Sequence, residues 1–166
     1  FLLCCGDDFL TISHYLKNVE KYSILTPYLN EEKLKRAFNY SLKYVTKPYQ
    51  RLHEFIYRHS EGVIASDMDY HKPLQHHKDY LGLIPNPINT EKIKFTPLNI
   101  HNKIIIFHGV NVHNYLKKGN FYFDEAIKMI EHKYPEKIQI MRTEDLPYDE
   151  YIKIYDSAHI VMDQVY

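Results

Sequence analysis

Apolar positions along the chain keep two rhythms. Short, largely apolar runs at residues 1–5, 62–66, 81–84, 103–107, 138–141 and 159–162 predict buried strands. Most are closed by Gly, Pro or Asp, as in Gly6-Asp7-Asp8 and Pro85-Asn86-Pro87. Between these runs the apolar residues recur every three or four positions, which predicts amphipathic helices that cover a sheet. Leu34, Phe38, Leu42 and Val45 mark one such stripe, and Pro48 starts or kinks a second that holds Leu52, Phe55 and Ile56. Asp69 to His77 reads as a short helix. Asn120 to Tyr134 reads as a longer one, with Phe123, Ala126, Ile127, Ile130 and Tyr134 on one face. Pro147, suited to a first helical turn, opens a helix with Tyr148, Tyr151, Ile152 and Tyr155 together. Residues 9–30 keep neither rhythm. Strands separated by helices imply parallel pairing, so the fold class is α/β with Rossmann-like parallel sheets.

Residues 85–102 hold three of the eight prolines, several Asn and Thr and little apolar periodicity, which is the composition of a linker. Residues 1–84 and 103–166 then fall to either side as two Rossmann-like domains, and the second restarts a β-α-β-α-β series, the half-unit of a doubly wound sheet. The first residues already read as a strand and carry no initiator Met, so the chain is expected to be an interior piece of a longer protein whose two sheets are both incomplete.

Composition narrows the function classes. Twenty-one basic residues balance 21 acidic ones, so the surface offers no overall footprint for a polyanion, and a dedicated nucleic-acid binder is not expected. No apolar run approaches the roughly 18 residues that a membrane-spanning helix needs. The two cysteines, Cys4 and Cys5, are neighbours on a strand and cannot build a disulfide framework, which fits a reducing, cytoplasmic setting.

In open α/β sheets ligands sit at the carboxyl ends of the strands. The loop expected after Phe107, from Gly109 to Gly119, is the richest of these positions. Its glycine follows the strand and Lys118-Gly119 precedes a helix N-terminus, an arrangement that suits an anion: bare backbone, free amides, a helix dipole and a point charge. The same spacing is equally compatible with a solvated loop whose Lys117 and Lys118 face water. Residues 142–147 form the next loop, where Glu144 and Asp145 read as caps for the following helix. Asp163-Gln164 ends the last strand as a polar pair able to face a cleft.

Other constellations carry less. His71, His76 and His77 invite a metal reading, but no zinc-ligand spacing accompanies them, and exposed histidines account for them better. Cys4 and Cys5 lack the electropositive setting of a nucleophilic thiol, and no Gly-x-Ser-x-Gly occurs. Asp7-Asp8 and Asp67 at strand ends suggest a phospho-receiver, in which clustered acids hold Mg²⁺. The long helical stretch between them stands where a receiver needs a further strand, and the proline segment interrupts its single sheet.

The runs Glu61–Asp67, Ile84–Ile93, Ile106–Asn111 with Lys118-Gly119, Leu146–Tyr151 and Ile160–Gln164 resemble, in order and spacing, retaining GT-B glycosyltransferases of family four, particularly those that assemble bacterial surface polysaccharides and lipopolysaccharides. The likeness is strongest over 61–166, and Ile84-Pro-Asn-Pro-Ile88 looks like the family's crossing between domains. It implies that 1–84 is the end of an acceptor-side domain, 85–102 the interdomain linker, and 103–166 the front half of a donor-binding domain. It further implies transfer of a sugar from a nucleoside diphosphate sugar to a saccharide or lipid-linked acceptor hydroxyl with retention. No metal or other cofactor is expected, and the whole enzyme is expected to be cytoplasmic with peripheral membrane association.

Residue by residue, Gly109, Asn111, Lys118, Thr143 and Leu146 are expected to bind the donor: Gly109 and Lys118 at the pyrophosphate, Thr143 to Leu146 near the nucleobase. Relatives often carry an Arg shortly after the glycine, where Val110, Asn111 and Val112 stand here. Either His113 or Lys117 replaces it as a phosphate contact, or phosphate binding is weaker. The family's glutamate pair would follow Tyr166, so the piece itself is expected to be inactive. Two other readings compete: a GT-B-like nucleotide-sugar epimerase, and a non-catalytic, receiver-like binding module.

Overall fold

The computed structural model of the protein describes residues 1–17, 20–92, 95, 97, 99–100 and 102–165. Ile93, the end of the Pro-Asn-Pro run, lies outside the described residues, as do positions 94, 96, 98 and 101 of the segment 85–102. The chain forms two compact units, Phe1–Lys94 and Phe95–Tyr166, each built on its own three-stranded parallel sheet. The fold is α/β and Rossmann-like. The division falls inside the segment 85–102, whose described residues hold a 3-10 turn at Thr90–Lys92 and no strand. Among the described residues no helix is long and apolar enough to cross a membrane.

In the first unit β1 (Leu2–Cys4), β2 (Val63–Ala65) and β3 (Tyr80–Leu83) lie in that order. Cys4 is buried and Cys5 exposed, the alternation that a strand dictates. Asp8 ends the turn after β1 and caps α1 (Phe9–Leu16), accepting the Thr11 N–H at 2.7 Å, while Asp7 accepts from the Ser41 hydroxyl. Asp67 does the same for α5 (Met68–Leu74), accepting the Asp69 N–H at 2.9 Å. Of the acids that suggest a receiver, Asp8 and Asp67 are thus helix caps and Asp7 is bonded to Ser41.

The segment 9–30, illegible by periodicity, holds α1 and α2 (Thr26–Asn30) and supplies the fully buried Ile12 and Leu25. Farther on, the expected stripe breaks into α3 (Lys35–Leu42) between two 3-10 turns, with Phe38 buried. The helix α4 (Lys47–Arg58) keeps only one of its three expected apolar positions, Ile56, against the core. Leu52 and Phe55 stand half-exposed or more, and Tyr57 is buried beside the partly buried Ile56. A tyrosine wins the core position because its ring buries a large apolar area while its hydroxyl finds Cys4 Sγ at 3.4 Å and donates to Asp8 at 3.4 Å.

In the second unit β4 (Ile104–Val110) is central, with β5 (Ile138–Glu144) and β6 (Ile160–Met162) on either side, both parallel to it. The helix α6 (Asn120–Lys133) leads from β4 to β5, and α7 (Tyr148–Tyr155) leads back past β4 to β6. Right-handed crossovers to opposite sides put the two helices on opposite faces of the sheet. Ring contacts show it: Phe107 meets Tyr151 of α7 at 5.1 Å, and its neighbour His108 meets Phe123 of α6 at 5.4 Å. Full burial of Phe107 stabilises the unit by about 2 to 3 kcal/mol.

Two strands run three residues farther than the sequence suggests. The β4–β5 ladder continues through His108↔Arg142, Gly109↔Thr143 and Val110↔Glu144. Gly109 and Thr143, expected in loops, are therefore paired strand residues. The β-branched Val110 and Thr143 favour extension, and the strand ends where Asp145 turns to a positive φ of 45°.

Candidate functional site

At the carboxyl ends of β4, β5 and β6 the second unit opens a cleft of about 250 Å³. Gly109, Asn111, Lys118, Thr143 and Leu146, the five residues expected to hold a donor, all line it. Val110, Asp145, Tyr151 and Asp163 complete its wall. His113 and Lys117 are not among the lining residues. The His113 N–H instead donates to Asn111 Oδ1 at 3.0 Å, as the Asn114 N–H does at 3.2 Å. Asn111 thereby starts the 3-10 turn Val112–Asn114, so its side-chain oxygen has a structural task at the rim of the cleft.

Gly109 has a reason of its own. A Cβ on it would stand 2.8 Å from Tyr151 Cε2 and 3.1 Å from Phe107 Cζ, so the missing side chain admits the Tyr151 ring to the cleft floor. Gly119 serves differently. Its φ of 67° is left-handed, and as the residue before α6 it turns the chain into the helix, which carries no acid in its first turn. Lys118 precedes that turn and reaches into the cleft.

Lys118 does not stand alone there. Its Nζ donates to Asp163 Oδ1 at 2.6 Å, and the Val165 N–H donates to the Lys118 carbonyl at 3.0 Å. The segment leaving β6 is thus tied to the loop before α6 by both side chain and backbone. Among the lining residues Lys118 is the cation, and Asp145 and Asp163 are the carboxylates. Tyr151, on the same wall, has its hydroxyl pushed to a higher pKa by burial and then by the charge of Asp163.

Arg142, the cation of the second expected loop, faces away. On the α6 side of the sheet its Nε donates to Asp124 Oδ1 at 3.2 Å and its Nη1 donates to Glu144. Tyr115 donates to the second oxygen of Asp124 at 2.6 Å, and this bond raises the Tyr115 hydroxyl to about 12. Burial pushes the Asp124 carboxyl up, but the Tyr115 and Arg142 hydrogen bonds and the Arg142 charge outweigh it, leaving the group below the usual carboxylate range. Beneath this network His108 is fully buried, with Nε2 2.9 Å from Asn120 Oδ1 and Nδ1 3.8 Å from Asp124 Oδ1.

Periodicity missed Tyr151 as a wall and the pair of His108 and Asn120 as a scaffold. The available signals were a lone polar residue inside the apolar run 104–107 with Val110, and an Asn opening the helix behind a glycine. Asp145, read as a cap, is a left-handed corner of the cleft. Among the described residues no group of three or more His, Cys, Asp or Glu side chains is placed to hold a metal ion. Compared with protein-family models, with curated proteins and with solved structures, the chain matches none.

Proposed function

We propose that the cleft of the second unit holds the diphosphate and nucleoside of a nucleotide-sugar donor, and that the chain is part of a retaining glycosyltransferase of the GT-B kind. The observation that carries this reading is the convergence of Gly109, Asn111, Lys118, Thr143 and Leu146, drawn from three separate sequence runs, on one cleft at the strand ends. That is where an open α/β sheet binds ligands. Lys118 and the start of α6 supply positive charge for a departing nucleoside diphosphate, which is stabilisation where charge develops and requires no metal. The first unit, Phe1–Lys94, belongs to the acceptor side. The donor is a nucleoside diphosphate sugar and the acceptor a saccharide or lipid-linked hydroxyl of surface polysaccharide or lipopolysaccharide assembly. The setting is cytoplasmic, with peripheral association at the membrane where such acceptors lie.

Titration calorimetry with UDP, GDP and ADP tests the reading. A charge-assisted phosphate contact contributes about 1.5 to 3 kcal/mol, and releasing Lys118 from an exposed carboxylate offsets about 0.5 kcal/mol of it. Lys118→Ala should therefore weaken the preferred nucleotide roughly 5- to 70-fold while the fold persists. Nucleotide affinity unchanged in a folded Lys118→Ala protein refutes the phosphate role.

A further inference from the structure

We infer that Asp163 is a built-in substitute for the ligand's phosphate, so that an anion enters the cleft by exchange with this carboxylate. The inference rests on the donor-site reading for the identity of the ligand, and on the structure for the exchange itself. Lys118 is the cation of the cleft wall, and its ammonium is already spent on Asp163 at 2.6 Å. The contact is not left to two wandering side chains. The bond from the Val165 N–H to the Lys118 carbonyl clamps the backbones on either side of it, so the carboxylate is returned to the same ammonium whenever the cleft is vacant. Asp145 adds a second negative group to the same wall, and Arg142, bound to Asp124 and Glu144, does not turn in to compensate.

The consequence is a cleft that selects against weak anions. Any ligand must first break the Lys118–Asp163 pair and then sit beside a displaced carboxylate. Asp163 is more than two-thirds exposed and Lys118 less than one-third, so the carboxylate can swing to water while the ammonium stays. Asp163 is thus a specificity-determining residue, with a sign opposite to that of the residues around it: removing its charge improves binding.

The test is calorimetry on the wild-type protein, Asp163→Asn, Lys118→Ala and the double variant, with inorganic pyrophosphate and with UDP, GDP and ADP as separate titrants. Asp163→Asn should bind pyrophosphate and the preferred nucleotide roughly 2- to 5-fold more tightly, the range expected for loss of an exposed competing pair. The gain should vanish in the Lys118→Ala background and shrink as salt is raised. Unchanged or weaker binding in Asp163→Asn, with wild-type protein that binds nucleotide, overturns the exchange and leaves the donor-site reading standing. Pyrophosphate binding that tightens in Asp163→Asn, without binding of any nucleoside diphosphate, keeps the exchange and removes the donor-site reading. Binding of neither titrant removes both.

Discussion

Replacing Gly109 with Ala separates two explanations of one residue. If the glycine exists to let a ligand approach bare backbone, the substitution hurts binding and leaves stability alone. The structure gives it a packing task, because an added Cβ would lie 2.8 Å from Tyr151 Cε2 and within 3.1 and 3.3 Å of the Phe107 ring. The first distance is impossible without movement. Phe107 is fully buried, so the adjustment must come from Tyr151 and α7. Overpacking of this kind costs about 1 to 3 kcal/mol. Gly109 does not have a left-handed backbone, so Ala fits the strand and gives back about 0.5 kcal/mol through the unfolded chain. The net expectation is a loss of about 0.5 to 2.5 kcal/mol, read as a shift in urea midpoint at unchanged slope. A double-mutant cycle with Tyr151→Ala locates the cause, since contacting residues couple by about 0.5 to 3 kcal/mol. If Gly109→Ala costs the same with and without the Tyr151 ring, the packing argument is wrong.

Two further outcomes follow from the α6 side of the sheet. Asn120→Ala removes the partner of His108 Nε2 inside a fully buried pair, so stability should fall by about 1 to 3 kcal/mol in urea unfolding; a loss of only a few tenths would mean the pair contributes nothing. The lowered Asp124 carboxyl contributes stability that is present above its unfolded pKa of about 4 and lost as pH falls through the folded value. Asp124→Asn should therefore be destabilised relative to wild type at pH 7, with the gap closing toward pH 3, and a gap that stays constant with pH would show that the charge is not what Arg142 and Tyr115 hold.

The parallel strands and the long helix α6 were legible because their signals are local: short, largely apolar runs bounded by punctuation, and a stripe at helical spacing. Strand ends were less so. Residues 108–110 and 142–144 mix His, Gly, Arg and Glu with β-branched residues, and the pairing that extends them is a property of two segments far apart in sequence. The inward face of α4 was misread because the stripe through Leu52, Phe55 and Ile56 passes over Tyr57, whose hydroxyl has partners in Cys4 and Asp8 that only the fold brings near. In the cleft, Gly109 and Lys118 could be picked out by residue type at a strand end and a helix start. The Lys118–Asp163 pair could not, since nothing near Lys118 in sequence indicates that β6 ends beside it.

The two faces of the second sheet divide the work between rigidity and exchange. On the α6 face His108, Asn120, Asp124, Tyr115 and Arg142 form a polar network that runs from the fully buried His108 and Asn120 to the exposed Arg142 and ties β4, β5 and α6 together. Breaking one contact there strands others, so the network fixes the distance between the end of β4 and the start of α6, and with it the loop that carries Lys118. On the cleft side the contacts are of another kind. The Lys118–Asp163 pair is partly exposed and cheap to break, and Asp145 holds a left-handed turn open at the end of β5. A ligand arriving at the strand ends therefore meets a fixed loop and a replaceable ion pair. The loop positions the cation without reorganisation, and the carboxylate that yields its place sets how strongly an anion must compete for it.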